Sequence, residues 1–204
     1  STSAPIAVTY VYTTTANGCV DVAGENVVVV VNPTPVLSSP LTPADICSGD
    51  TFSYTATSAT GGATFAWSRA VVLGISEPAS SGAVASISET LTNTTSAPIA
   101  VTYAYITSAN GCSSAVENVV VTVNPTPVLS STLAPADICD GDTFNYTATS
   151  ATGGASFSWT RAGIAGINGG VGAGPTVGDV SEVLSNSTSA PIAVTYVYTT
   201  TANG

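Results

Sequence analysis

Residues 51–57 read TFSYTAT, and residues 64–69 read TFAWSR. In both runs large side chains alternate with small or polar ones, which is the period-two pattern of a strand that buries one face. Phe52 and Tyr54 would share the inner face of the first strand, and Trp67 would lie on the inner face of the second. This pair, here named strands B and C, predicts an all-β fold.

More short strands are predicted on both sides of strands B and C. They are strand A at 36–39, strand E at 84–91, strand F at 99–106 and strand G at 119–123. An Asn-Gly pair at 110–111 separates F from G and favours the tight turn of a β-hairpin. No stretch repeats apolar residues at helical spacing. About seven short strands in roughly 93 residues, with a tryptophan on the third, predict an immunoglobulin-like β-sandwich.

The same pattern recurs along the chain. The sequence SAPIAVTY occupies residues 3–10 and returns at 96–103 and 189–196, so each copy begins 93 residues after the previous one. Self-similarity at a fixed period is the signature of a tandem array. The sequence reads as about two units of a longer tandem polymer. Residues 1–31 would be strands F and G of a preceding repeat, residues 32–123 a complete repeat, and residues 124–204 a repeat without its last strand.

The composition excludes several kinds of partner. Hydrophobic residues make up 44% of the chain and charged residues only 7%, and the net charge is −10. Arg69 and Arg161 are the only basic side chains, too few for the counterion release that drives nucleic-acid binding or for attraction to anionic lipid. No apolar run approaches the roughly 20 residues of a membrane-spanning helix. We expect no nucleic-acid partner and no membrane insertion.

The residues that catalysis needs are also missing from the sequence. The chain contains no His, and none of its Ser and Thr residues stands beside a group that would activate it as a nucleophile. The cysteines are spaced too widely for a zinc site. The glycine-rich run at 166–174 lacks the Lys-Ser/Thr of a phosphate-binding loop. We expect no enzyme activity and no cofactor.

Aromatic residues on strands B, C and F are the candidate core. The predicted core residues are Tyr54, Phe65, Trp67 and Tyr103 in one repeat and Tyr146, Phe157, Trp159 and Tyr196 in the next. An alternative is that the strand C aromatics stack on sugars. The core interpretation is favoured, because a buried tryptophan on strand C is typical of this sandwich.

One acidic cluster is a weak candidate for a calcium site. Asp137, Asp140 and Asp142 lie within the sequence DICDGD, and Ca²⁺ prefers hard oxygen ligands supplied by a loop. The equivalent stretch of the other repeat keeps only Asp45 and Asp50. A solvated turn, held by hydrogen bonds from the aspartates to the backbone, is the favoured interpretation.

Several motifs occur in a fixed order in both repeats. In one repeat they are ICSGDTF at 46–52, GGATFAWSR at 61–69, NGC at 110–112 and VTVNPTP at 121–127. This order resembles the PKD-like, immunoglobulin-like tandem repeats of large Bacteroidota cell-surface proteins, which include adhesins exported by the type IX route. The resemblance implies extracellular structural or adhesive work and transfers no catalytic residues. The chain departs from many PKD domains at Ser68-Arg69, where those domains carry an acidic Asp-Gly motif.

Four cysteines, two per repeat, point to disulfides in an oxidising compartment, with free buried thiols as the alternative. They are Cys19, Cys47, Cys112 and Cys139. Cys47 precedes strand B and Cys112 follows strand F, so a strand of about 23 Å separates them, whereas disulfide Cα atoms lie within about 7 Å. Pairing between neighbouring units is therefore favoured. Cys47 would pair with a cysteine expected just after Gly204, and Cys112 with one upstream of Ser1.

These observations favour a non-catalytic structural role outside the cell. The chain would be a repeat segment of a cell-surface filament or adhesin stalk that carries mechanical load. Its partners would be the neighbouring repeats of the same polypeptide, with possible lateral self-association into a fibre. The alternative is an adhesion module that binds glycan or protein through the segment between strands C and E. That segment, residues 70–84 and 162–180, differs most between the repeats.

Overall fold

The computed structural model describes residues 3–168 and 178–202. These residues form eighteen strands and no helix, so the predicted all-β class is confirmed. The chain folds as two compact units, one made of residues 1–92 with 100–122 and the other of residues 93–99 with 123–204. Each unit is described by itself.

An isolated hairpin forms the first part of the chain. Its strands are β1 (Ile6–Tyr12), β2 (Thr15–Ala16), β3 (Cys19–Val20) and β4 (Glu25–Val31). β1 and β4 pair antiparallel over seven residues each, from Ile6 opposite Val31 to Tyr12 opposite Glu25. At the tip, Asn17 and Gly18 both adopt positive φ, as a type I′ turn requires. Every residue of β1 and β4 is exposed.

The next segment forms a two-sheet sandwich, which confirms the immunoglobulin-like prediction. Its strands are β5 (Ile46–Cys47), β6 (Thr51–Thr55), β7 (Thr64–Arg69), β8 (Ser80–Gly82), β9 (Ser86–Thr90), β10 (Ile99–Ala109), β11 (Cys112–Ser113) and β12 (Glu117–Asn124). One sheet has the order β5-β12-β10-β7-β8, with β11 paired to β10, and the other consists of β6 and β9. The predicted strands B, C, E, F and G correspond to β6, β7, β9, β10 and β12.

The prediction of a regular strand A at 36–39 is wrong. The segment is held by single hydrogen bonds instead: the Ser38 N–H donates to Thr57 O (2.7 Å), and the Leu37 N–H donates to the Glu117 carboxylate (3.0 Å). Further along, Leu41 O accepts the Val120 N–H (2.8 Å) before β5 joins β12. Prolines interrupt this stretch, and because they lack an N–H they prevent a continuous ladder.

The core of this sandwich is an aromatic stack between the two sheets. Phe52 on β6 stacks on Tyr103 of β10 with ring centroids 5.2 Å apart. Trp67 on β7 meets the same tyrosine edge-on at 5.6 Å. Tyr54 and Tyr105 form a second pair at 5.7 Å. Tyr103 and Tyr105 are completely buried, whereas Phe65, nearer the end of β7, is only half-buried.

The described residues of the second repeat form the same arrangement with six strands. They are β13 (Thr143–Tyr146), β14 (Ser156–Arg161), β15 (Ile167–Asn168), β16 (Val180–Val183), β17 (Ser185–Asn186) and β18 (Tyr196–Thr201). β13 pairs with β16, β14 with β18, and β15 with β17. The rings of Phe144 and Trp159 lie 5.2 and 5.4 Å from that of Tyr196, which repeats the stack of the first sandwich. Tyr146, Phe157 and Tyr196 are half-buried, and Trp159 is buried.

Candidate functional site

A buried ion pair lies at the base of the aromatic stack in the first sandwich. Phe65, Trp67 and Arg69 alternate along β7, so the arginine falls on the core face and its side chain is 1% exposed. Its Nε donates to Glu89 Oε2 on β9 (2.9 Å), and its Nη2 donates to Pro78 O (2.8 Å). The network therefore ties strands C and E to the intervening segment.

Tyr103 completes this network from strand F. Its hydroxyl donates to Glu89 Oε2 at 2.6 Å, and its ring lies 6.0 Å from the Arg69 guanidinium carbon. Burial and the hydrogen bond to Glu89 raise the pKa of Tyr103 well above its usual value. Burial alone would raise the pKa of Glu89, but hydrogen bonds, first from Arg69 and then from Ser80 and Tyr103, outweigh it and hold that pKa below its usual value.

The second repeat carries the same network. Arg161 Nε donates to Glu182 Oε2 at 3.0 Å, and the Tyr196 hydroxyl donates to the same oxygen at 2.6 Å. The arginine side chain is 0% exposed. The hydrogen bond to Glu182 raises the pKa of Arg161 despite burial. The arrangement pairs the buried arginine with a glutamate that also accepts the tyrosine hydroxyl, so it links strands C, E and F of this repeat.

Sequence reasoning missed this network, although one signal for it was present. Arg69 follows Trp67 at i+2, and alternation along a strand places both side chains on one face. The alternation alone predicts a buried arginine beside Trp67, which requires an acidic partner. The partner Glu89 could not be identified from sequence alone, because the register between β6 and β9 sets its position.

The variable segment of the first repeat is largely anchored to this network. Ile75 is 6% exposed, and the Ser76 N–H donates to Thr92 O at 3.0 Å. The Thr92 N–H in turn donates to Glu77 Oε2 at 2.9 Å. Most other residues of the segment are exposed, and Leu73 is 97% exposed. In the second repeat, residues 169–177 of the corresponding segment lie outside the described residues.

Within the described residues no disulfide joins the four cysteines, of which Cys19, Cys47 and Cys139 are exposed and Cys112 is half-buried. Cys47 precedes β6, where Phe52 stacks on Tyr103. Cys112 pairs with Ala109, six residues beyond that tyrosine on β10. At about 3.3 Å per residue this places the two cysteines roughly 20 Å apart. This separation disfavours a Cys47–Cys112 bond, and pairing between neighbouring repeats stays a prediction.

Two of the three aspartates proposed for calcium act as backbone acceptors. Asp142 Oδ2 accepts the Cys139 N–H at 3.2 Å, and Asp140 Oδ1 accepts the Asn186 N–H at 2.7 Å. No group of three or more His, Cys, Asp or Glu side chains among the described residues could hold a metal ion, and Asp137 joins no such group. The geometry is that of a hydrogen-bonded turn.

A groove of about 1190 Å³ lies in the second repeat. It runs between the extended segment at 127–140 and β18. Leu129 and Ile138 line one side, Tyr196 and Tyr198 line the other, and Phe144 contributes to its lining.

Comparison with known families agrees with the fold and with the order of motifs. A family model described as PKD-like domain matches residues 44–127 and 136–204. These two matches cover most of the sequence, so the chain belongs to the PKD-like domain family. No curated protein matches the sequence. Among the described residues, no helix is long and apolar enough to cross a membrane.

Proposed function

We propose that the chain is a repeat segment of an extracellular bacterial surface filament or adhesin stalk, and that it carries tensile load without catalysis. The observation that carries this proposal is the bonding of the segment that enters the first repeat to the strand that leaves it. Leu37 bonds to Glu117, Leu41 to Val120, and β5 pairs with β12. The later residue of the entering segment bonds to the later residue of β12, so the two segments run parallel.

This geometry suits resistance to pulling. Force applied to the two ends of the repeat slides the entering segment and β12 in opposite directions along their common axis. The hydrogen bonds between them are then loaded in shear, along the direction in which the two segments slide. The buried Arg69–Glu89 pair adds a second tie between strands C and E. Membership of the PKD-like family supports a role as a structural or adhesion module outside the cell.

Disulfides between neighbouring repeats form part of the proposal. Cys47 and Cys112 lie toward opposite ends of one repeat, and Cys47 is exposed. A bond from each to the adjacent repeat would reinforce the junctions covalently. Peptide mapping of the native protein without reduction tests this scheme. A linked Cys47–Cys112 peptide would refute it.

Electron microscopy of the native cell surface tests the proposed role. Gold-labelled antibodies against residues 32–123 should decorate surface filaments at regular intervals along their length, because each repeat carries the epitope. Label confined to the cell interior, or found on the surface away from any filament, would contradict the proposal.

A second candidate function is favoured by one exposed feature. Val71 and Leu73 are 69% and 97% exposed on the variable segment, where they would offer an apolar tip to a glycan or protein. A glycan and protein array probed with the full chain tests this adhesion role. Specific binding that V71S/L73S abolishes would favour it, provided that a V36S control, at a position 54% exposed outside the segment, binds normally.

A further inference from the structure

A buried asparagine lies in the loop between β9 and β10 of the first sandwich. Asn93 is 6% exposed, although the residues that follow it, 94–98, are all exposed. Its Nδ2 donates to Ala97 O in the same loop and to Val123 O, both at 2.8 Å. Val123 is the penultimate residue of β12, the strand through which the chain leaves the repeat. The asparagine therefore joins the loop to the end of the exit strand.

The oxygen of the same carboxamide is also bonded. Asn93 Oδ1 accepts the Thr95 N–H and the Thr95 hydroxyl, both at 2.8 Å. A carboxamide offers two donors and one oxygen with two lone pairs, so these four bonds use its full capacity. Aspartate has the same shape but no N–H, and glutamine is longer by one methylene. The position is therefore specific for asparagine.

The loop geometry recurs in the second repeat. Asn186 Nδ2 donates to Ala190 O at 2.8 Å, and its Oδ1 accepts the Thr188 N–H at 2.9 Å and the Thr188 hydroxyl at 2.8 Å. The loops read NTTSAP at 93–98 and NSTSAP at 186–191. The recurrence of these bonds in two copies of the loop indicates that the sequence specifies them.

We propose that Asn93 is a load-bearing clamp that prevents the end of β12 from peeling away when the repeat is pulled. The inference rests on the proposed mechanical function and adds a specific residue to it. A pulled strand separates most easily when it peels from its end, since its hydrogen bonds then break one at a time. The bond from Nδ2 to Val123 O holds that end, and because the bond is buried, it is stronger than one exposed to water.

The clamp complements the contact at the other end of the same strand. Glu117 at the start of β12 accepts the Leu37 N–H of the entering segment. With its start bonded to the entering segment and its end held by Asn93, β12 is loaded in shear along its length. The clamp also passes part of the load from β12 to the loop, and so to β9 and β10, which the loop connects.

Stretching the full chain between its ends at constant force tests the clamp. N93D keeps the shape of the side chain and the acceptor for Thr95 but loses both N–H donors, so it should shorten the lifetime of the first sandwich under force about tenfold or more. N93A removes the carboxamide without adding a charge, and it serves the same test if N93D does not fold.

Two controls accompany these variants. T95A removes hydroxyl bonds from the same loop and leaves the bond to Val123 in place, so it should shorten the lifetime by less than about threefold. N186D makes the same substitution as N93D in the second repeat and should leave the lifetime of the first sandwich unchanged.

Urea midpoints of the same variants separate resistance to force from equilibrium stability. N93D and T95A should both lower the midpoint, because both remove hydrogen bonds, but only N93D should shorten the lifetime markedly. Equal lifetimes of N93D and the original chain, or equal shortening by N93D and T95A, overturn the clamp while the load-bearing function stands. Gradual extension of the original chain without a discrete event overturns the load-bearing function itself, and the clamp with it.

Discussion

At the scale of single residues, the two arginines each form a buried ion pair in the core of a repeat. Arg69 and Arg161 are the chain's entire complement of basic side chains, and both are buried against a glutamate and a tyrosine. A buried charge is tolerated only when it is paired and its hydrogen bonds are satisfied. Each repeat thus places its one positive charge inside the sandwich, so the charged side chains on its surface are acidic.

Removing the glutamate from this pair should strongly destabilise the first sandwich. E89A leaves the Arg69 guanidinium buried without its main partner, and loss of one member of a buried ion pair costs about 3–5 kcal/mol. Urea unfolding followed by circular dichroism measures the change. The control E25A removes an exposed glutamate from the hairpin and should change stability by less than about 0.5 kcal/mol. Equal effects of the two variants would show that the pair contributes little.

The ion-pair network also predicts how stability depends on pH. The folded-state pKa values of Glu89 and Glu182 lie below the unfolded value of 4.5, so their contribution is present above pH 4.5 and is lost as the pH falls further. The pKa values of Tyr103 and Tyr196 are raised above 10, so their contribution is lost as the pH rises beyond 10. Melting temperature should therefore form a plateau between these limits. A melting temperature that keeps rising from pH 8 to pH 11 would contradict this assignment.

At the scale of strands, the pairing of β8 with β7 depends on one residue without a side chain and not on an alternating sequence pattern. Gly82 lies opposite Trp67 across the β7–β8 pair. A Cβ atom at this glycine would lie 2.9–3.1 Å from three atoms of the indole ring. The strand can pair with β7 because the residue that faces the tryptophan has no side chain.

The substitution G82A should therefore destabilise the first sandwich. The rigid, buried indole cannot move aside, and overpacking of this kind costs about 1–3 kcal/mol. The control G61A adds the same methyl group where nothing lies within 4 Å and φ is not positive. Urea denaturation of both variants should give a lower midpoint for G82A alone. Equal midpoints would show that β8 shifts to accommodate the methyl group without a loss of stability.

The strands that could be predicted from sequence are those with strong alternation of large and small residues. β6, β10 and β12 carry Phe, Tyr, Ile or Val at most alternate positions, β7 carries Phe65 and Trp67, and β9 carries Ile87. β8 could not be predicted, because Ser80, Ser81 and Gly82 have neither apolar periodicity nor high strand propensity. The regular strand A predicted at 36–39 is absent from the structure. Its residues make isolated hydrogen bonds to the distant partners Thr57 and Glu117, which the sequence alone does not identify.

At the scale of the whole molecule, the surface composition and the buried arginines predict resistance to one class of protease. Trypsin cleaves after Lys and Arg, and the only such sites are Arg69 and Arg161, both buried. The folded chain should remain intact under conditions in which the urea-unfolded chain is cut into three fragments, because cleavage requires opening of the sandwich. Gel electrophoresis over a time course measures this. Rapid cutting at Arg69 in the folded chain would show that the network opens readily.

The mechanical proposal is a property of the whole chain, and stretching a single molecule between its ends tests it most directly. The first sandwich should unfold in one event that releases nearly 90 residues, or roughly 300 Å of contour length at about 3.4 Å per residue. E117A removes the acceptor of the Leu37 N–H and should lower the force of that event, whereas E25A, its counterpart in the exposed hairpin, should not. Gradual extension without a discrete event, or equal forces for both variants, would contradict a load path through the entering and leaving strands.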